Sequence, residues 1–392
     1  MRKIVRQTVA LVVVLSLAAP AAARRCPEDA TTATFAAPGE FPVGERTLML
    51  VDASRETPAH GTAAALPSRT LTTEIWYPGA SEGKDVALAS GGPFPIVLNS
   101  PGLLDNRMGE AYYARTLASR GFVVTSTDFP LTNSATLATG PFLGDVHNQP
   151  GDVRFVLDQV LALSRDPNGW LARGVDRRRI GATGLSLGAV TTLIVGYHPT
   201  LRDKRIRALL PIAPGGACAI NRRFFSTSRP RLLTIVGEQD LILPPDANAL
   251  PAIDLVRSPR TLVTLIAGTH TAFAGFITAD RATSYDAIGC LLLDDIGTWG
   301  DPVEGLGGPE SGIETHDQTC LRICKDPLPP NPPMQAKRQQ ELTRAIEAAF
   351  FESTLAGSRA ARCFLRSRLA AENADVRVVS ATGRKRPAAV RY

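Results

Sequence analysis

The segment Gly184-Leu185-Ser186-Leu187-Gly188 has the residue types and spacing for nucleophilic acyl chemistry. A serine flanked at two-residue distance by glycines can sit on a turn too sharp for larger neighbours, with its hydroxyl raised clear of the chain. That hydroxyl attacks a carbonyl carbon only when a base removes its proton. Five histidines are available. His60 lies in a Pro/Ala-rich stretch, His147 precedes a helical segment, His198 ends the helix that follows Ser186, and His316 sits in an irregular region. His270, in Gly268-Thr269-His270-Thr271, follows the last β-branched apolar run, where the chain order Ser, Asp, His places the base. An acid must accept the other imidazole N–H and hold the useful tautomer. The run Leu232–Val236 leads into Gly237-Glu238-Gln239-Asp240, so Asp240 fits, with Glu238 and Asp246 as alternatives in the same loop.

The developing oxyanion needs donors fixed in advance. The Leu187 N–H, at the start of a helix, is one candidate. The second is assigned to Leu103, in the loop Asn99-Ser-Pro-Gly-Leu103-Leu104 after the third predicted strand. Leu104, Ile242, Leu243, Phe273 and Phe276 flank these positions and are candidates for an apolar acyl pocket.

These residues need a scaffold that ends them all at one edge. Apolar, β-branched runs predict eight strands, near 47–51, 70–77, 96–99, 122–127, 179–183, 208–213, 232–236 and 262–266. Helical patterns fit 110–119, 152–163, 187–196 and 335–353, the last with Phe350 and Phe351 on its core face. Strands alternating with helices imply an α/β fold with a mostly parallel sheet flanked by helices.

The ends of the chain differ from its body. Arg2, Lys3 and Arg6, the apolar run Val9–Ala19 and then Ala21-Ala22-Ala23 form a secretory-signal pattern with cleavage after Ala23. The run is too short to span a bilayer, so a secreted or periplasmic protein without stable membrane insertion is expected. Residues 24–376 form the expected domain, and 377–392 a basic tail with Arg377, Arg384, Lys385, Arg386 and Arg391. The formal charge of +6 therefore sits mostly at the two ends, leaving a slightly acidic body and no basic stripe for nucleic acid.

Residues 279–333 break the α/β rhythm. This insertion is rich in Gly, Pro and Asp, carries Cys290, Cys320 and Cys324, and closes on Pro327-Leu-Pro-Pro-Asn-Pro-Pro333. Such a stretch is either a surface excursion or a cap over the site. The six cysteines, an even number in an exported chain, are expected to pair and tie it down. No Cys/His group has zinc-ligand spacing.

The stretches Pro95-Ile-Val-Leu-Asn-Ser-Pro-Gly102, Leu117-Ala-Ser-Arg-Gly-Phe-Val-Val124, Asp152-Val-Arg-Phe-Val-Leu-Asp158, Arg178-Arg-Ile180 with the serine turn, and Gly268-Thr-His270 resemble one bacterial branch of the α/β-hydrolases. That branch groups platelet-activating-factor acetylhydrolase-like esterases with predicted dienelactone hydrolases. The resemblance spans about Phe41 to Phe276 and continues more weakly to the helix ending at Phe351. It implies the α/β-hydrolase fold and ester hydrolysis without cofactor. The chain departs from the family in Pro101-Gly102, where His-Gly is usual, and in Ala213-Pro-Gly-Gly-Ala-Cys218, which lacks the carboxylate of the animal acetylhydrolases. Serine in place of the dienelactone hydrolase cysteine argues against that reaction.

The expectation is a serine carboxylic-ester hydrolase with the triad Ser186, Asp240 and His270, acting on a small-molecule or lipid ester. The short, polar linker 215–231 leaves no room for a long apolar lid there, which favours short to medium acyl groups. The rivals are an acyltransferase on the same triad and a catalytically silent scaffold.

Overall fold

The computed structural model describes residues 26–314 and 318–381. The expected leader 1–23, His316 and residues 382–392 lie outside them. In chain order the strands are β1 (Val43–Asp52), β2 (Arg69–Pro78), β3 (Gly83–Lys84), β4 (Phe94–Ser100), β5 (Val123–Thr127), β6 (Val175–Leu185), β7 (Ile206–Ile212), β8 (Arg231–Gly237), β9 (Arg260–Leu265) and β10 (Val376–Ala381). They form one sheet in the order β10-β9-β8-β7-β6-β4-β5-β2-β1-β3. From β5 to β9 every neighbouring pair is parallel, while β1, β2 and β10 join antiparallel.

All eight expected strands are present, with two additions. The two-residue β3 pairs with β1. β10 corrects the boundary set at residue 376: what reads by charge as the start of a basic tail is an edge strand, Val376–Ala381, paired with β9 along its length. Its Arg377 faces Glu238 at 3.0 Å, so the charge has a partner on the body.

The helices are α1 (Thr32–Ala36), α2 (Ala111–Ser119), α3 (Gln149–Arg165), α4 (Leu187–Tyr197), α5 (Ala249–Leu255), α6 (Asp286–Leu292) and α7 (Ala336–Phe351), followed by shorter turns through residue 372. Alternate strand residues feed opposite faces, as the period of two requires. Val97, Leu210 and Val263 pack with Phe35, Leu117 and Phe351 of α1, α2 and α7 on one face. Ile96, Leu98 and Leu209 pack with Val156, Leu157 and Leu193 of α3 and α4 on the other. At the β2–α3 junction the buried Arg69 lies between two buried carboxylates. Its Nε and Nη2 donate to Asp152 at 2.8 and 2.7 Å, and its Nη1 and Nη2 to Asp145 at 3.0 and 2.8 Å.

All six cysteines pair: Cys26–Cys363, Cys218–Cys320 and Cys290–Cys324. The second ties the insertion to the loop after β7, and the third closes the insertion on itself. No helix among the described residues is long and apolar enough to cross a membrane.

Candidate active site

β6 runs directly into α4 with Ser186 as the only residue between them. Its backbone, φ 56° and ψ −119°, is a conformation that costs a side-chain-bearing residue on the order of 1–3 kcal/mol. The surroundings hold it there. The Ser186 N–H donates to Ile212 O at 2.9 Å, and its carbonyl starts the helix by accepting from Ala189 at 3.0 Å. A side chain at Gly188 would collide with the Ser100 carbonyl, which explains the small residue at that flank.

β8 ends in the Asp240 loop and β9 in the His270 loop, next to each other in the sheet. The His270 Nδ1–H donates to Asp240 Oδ2 at 2.8 Å, and Asp240 Oδ1 accepts the Leu243 N–H at 2.7 Å. Both side chains are buried. The loops are also tied by the Gln239 N–H, which donates to Gly268 O at 2.8 Å. From α7, the buried Gln339 accepts the Thr269 N–H at 3.0 Å and donates to its carbonyl at 2.6 Å.

Burial pushes the Asp240 carboxyl up to about 6, with the Asp286 charge adding to the rise, while His270 and the Leu243 N–H oppose it. Burial alone would lower His270, but the Asp240 charge and hydrogen bond, reinforced by Asp286, carry it above the ordinary imidazole value. Protonated His270 is thus favoured by two carboxylates.

The loop after β4 passes over Ser186: a Cβ on Gly102 would lie 3.4 Å from that of Ser186. Leu104 takes a positive φ of 58°, and its N–H donates to Thr132 O at 2.8 Å. Neither the Leu103 N–H nor the Leu187 N–H donates to an acceptor among the described residues.

Ser186 and His270 line one cavity of about 220 Å³. Of the expected wall residues, Leu104, Ile242, Leu243 and Phe276 line it, together with the two oxyanion candidates Leu103 and Leu187. Phe273 does not. The short 3-10 turn Thr271–Phe273 carries its ring into the core beside α2 and α7, where it is 1% exposed, while Phe276 at the rim is 65% exposed. Much of the remaining wall comes from the insertion, through Leu292, Leu293, Ile296, Val303, Leu306 and Ile313.

The other described histidines have structural partners: His60 stacks on Phe142, His147 bonds Gly144 O, and the buried His198 bonds Leu306 O. Of the alternative acids, Glu238 pairs with Arg377 and Asp246 with Arg322, both exposed and away from His270. Residues the sequence did not single out are Gln339 and Asp286. Gln339 acts on main-chain atoms of the His270 loop and Asp286 on those of both loops, and no motif marks them.

A family model described as PET hydrolase-like matches residues 22–283, two thirds of the chain. The chain belongs to the PET hydrolase-like family, and so to the esterases of the α/β-hydrolase superfamily. Among solved structures, a ferulic acid esterase from Streptomyces cinnamoneus superposes with a TM-score of 0.55 at 24% identity, over 83% of this chain and 93% of that one. At that identity the likeness shows the shared fold. No curated protein matches the sequence. In this PET hydrolase-like chain, the buried Asp240–His270 pair and the Ser186 turn lie at the same edge of the sheet.

Proposed function

We propose that this protein is an exported serine carboxylic-ester hydrolase working through an acyl-enzyme. Ser186 Oγ attacks the ester carbonyl while His270 Nε2 takes its proton. The tetrahedral oxyanion rests on the Leu103 and Leu187 N–H groups. On collapse, His270 gives the proton to the departing alcohol. Water, activated by the same imidazole, then attacks the acyl carbonyl and frees the carboxylic acid and Ser186. Asp240 holds the tautomer with the proton on Nδ1. The observation that carries this reading is the 2.8 Å bond from buried Asp240 to His270, which lines the same cavity as the strained Ser186.

The wall favours aliphatic acyl groups of short to medium length. It is formed chiefly by Leu, Ile and Val, with Phe224 and Phe276 as its aromatic residues. Each further methylene buried there should add about 0.8 kcal/mol of binding, a factor of roughly four, until the cavity is full. The pattern in residues 1–23 and the three disulfides support export.

A fluorophosphonate probe tests the central assignment. Labelling is expected at Ser186 in the wild type and not in Ser186→Ala, with kcat down by roughly 10⁴ to 10⁶. Full esterase activity in a clean Ser186→Ala preparation overturns the reading. A nitrophenyl ester series from acetate to decanoate, beside ferulate esters, tests the acyl preference, and added alcohol tests transfer against hydrolysis.

A further inference from the structure

One side chain of the insertion reaches both loops. Asp286 opens α6 and is fully buried. Its Oδ2 accepts the N–H of Leu241 at 2.9 Å and the N–H of His270 at 3.0 Å, and its Oδ1 accepts the N–H of Thr271 at 2.7 Å. One carboxylate therefore bonds the residue after the acid, the base itself and the residue after the base. Hydrogen bonds to an ionised acceptor are about twice as strong as neutral ones.

A second tie supports the first. One turn along α6, Cys290 is bonded to Cys324, whose N–H donates to Leu241 O at 2.8 Å. Leu241 is thereby held by the insertion through both its N–H and its carbonyl. Neither contact involves the side chain of Asp240 or His270, so both leave the relay's own hydrogen bonds intact.

We propose that Asp286 is a positioning residue of the active site, a buried carboxylate that fixes the acid and base loops in one register and makes the 279–333 insertion a working part of the relay. This rests on the serine hydrolase reading above. Misplacement of a relay by about 1 Å costs roughly 10²-fold in rate, which is the scale at stake if the two loops drift apart. The charge also acts on the base. His270 faces Asp240 from the β8 loop and Asp286 from α6, with Asp105 among the residues lining the shared cavity. Asp240 and Asp286 both favour the protonated imidazole. Removing the Asp286 charge should let His270 lose its proton at lower pH.

The test compares wild type, Asp286→Asn and Asp286→Ala in the full chain with disulfides intact. Asparagine must turn an amide donor toward N–H groups that need acceptors, so it breaks the clamp with little change of volume. Expected results are a fall in kcat of roughly 10²-fold with KM within about threefold, slower fluorophosphonate labelling, and an acid limb of kcat/KM displaced to lower pH. A core variant of α7, Leu342→Ala, serves as a control for destabilisation alone and should leave kcat and the acid limb unchanged. A folded Asp286→Asn with wild-type kcat and acid limb overturns the proposal, while loss of Ser186 labelling in Ser186→Ala would still uphold the hydrolase. If the Asp286 variants do not fold, amide exchange in the wild type decides. Leu241, His270 and Thr271 should be protected like strand amides, and exchange at exposed-loop rates overturns the clamp.

Discussion

Thr183, three residues before Ser186, lies against Glu347 of α7, with its Oγ1 2.6 Å from Glu347 Oε1 and 2.8 Å from Leu210 O. A hydroxyl has one proton, so it cannot donate to both. Both contacts are satisfied if Glu347 is itself protonated and donates to Thr183, which then donates to Leu210. Burial pushes the Glu347 carboxyl up to about 8, in agreement with that arrangement.

Glu347 should therefore make stability depend on pH. The native state keeps its proton up to about 8, whereas the unfolded chain releases it near the ordinary 4.5. Between those values the native state binds more protons, so this group's contribution to stability is full below about 4.5 and declines as pH rises toward 8. Glu347→Gln cannot titrate, and it should flatten the curve by a few kcal/mol across that window. Urea unfolding of both proteins at pH 5 and pH 8 measures it; parallel curves would refute a neutral Glu347.

Within the proposed triad the losses should be graded. His270→Ala should approach Ser186→Ala and not add to it, and Asp240→Asn should lose less. Glu238→Gln and Asp246→Asn should remain within a few fold, because each pairs with an exposed arginine away from the imidazole. The base must be neutral, and its pKa is raised, so kcat/KM should fall with decreasing pH through a limb above the ordinary 6.5. Steady-state kinetics of the five variants and a pH profile of the wild type supply the check.

Filling the cavity should shorten the accepted acyl chain. Val190, one turn along α4 from Ser186, lines it. Val190→Phe should cut kcat/KM for octanoate esters by about tenfold or more and leave acetate within about threefold. Equal loss on both substrates would place the acyl group elsewhere.

Arg69→Met should be strongly destabilising, by about 3–5 kcal/mol, because it leaves the buried Asp145 without its cation and Asp152 with only the half-buried Arg55. Guanidinium unfolding measures it, and a change under about 1 kcal/mol would mean that water or a proton compensates the pair.

The parts of the site legible in the sequence were those imposed by local geometry. Gly184 and Gly188 around Ser186 are required by a turn five residues long, and the order of strands leads to Asp240 and His270. Long-range main-chain contacts left no such trace. Asp286 reaches N–H groups 45, 16 and 15 residues away, which any residue type but proline could supply. Phe273 and Phe276 look equivalent as apolar neighbours of His270, and only the 3-10 turn that ends at Phe273 sends one to the core and leaves the other at the rim. β10 was hidden because Arg377 reads as part of a charged tail, although an edge strand carries charge readily on its outer side.

The Cys26–Cys363 bridge joins residues 337 positions apart in the sequence and closes nearly the whole described body into a covalent ring. A ring cut once is still one molecule. A protease that severs any single peptide bond between those cysteines produces no free fragment, and the nicked enzyme keeps both sides of the cut in each other's vicinity at high effective concentration. Nicking would therefore go unseen on a non-reducing gel and show only after thiol treatment, which gives the protein a tolerance of proteolytic damage that its fold alone does not provide.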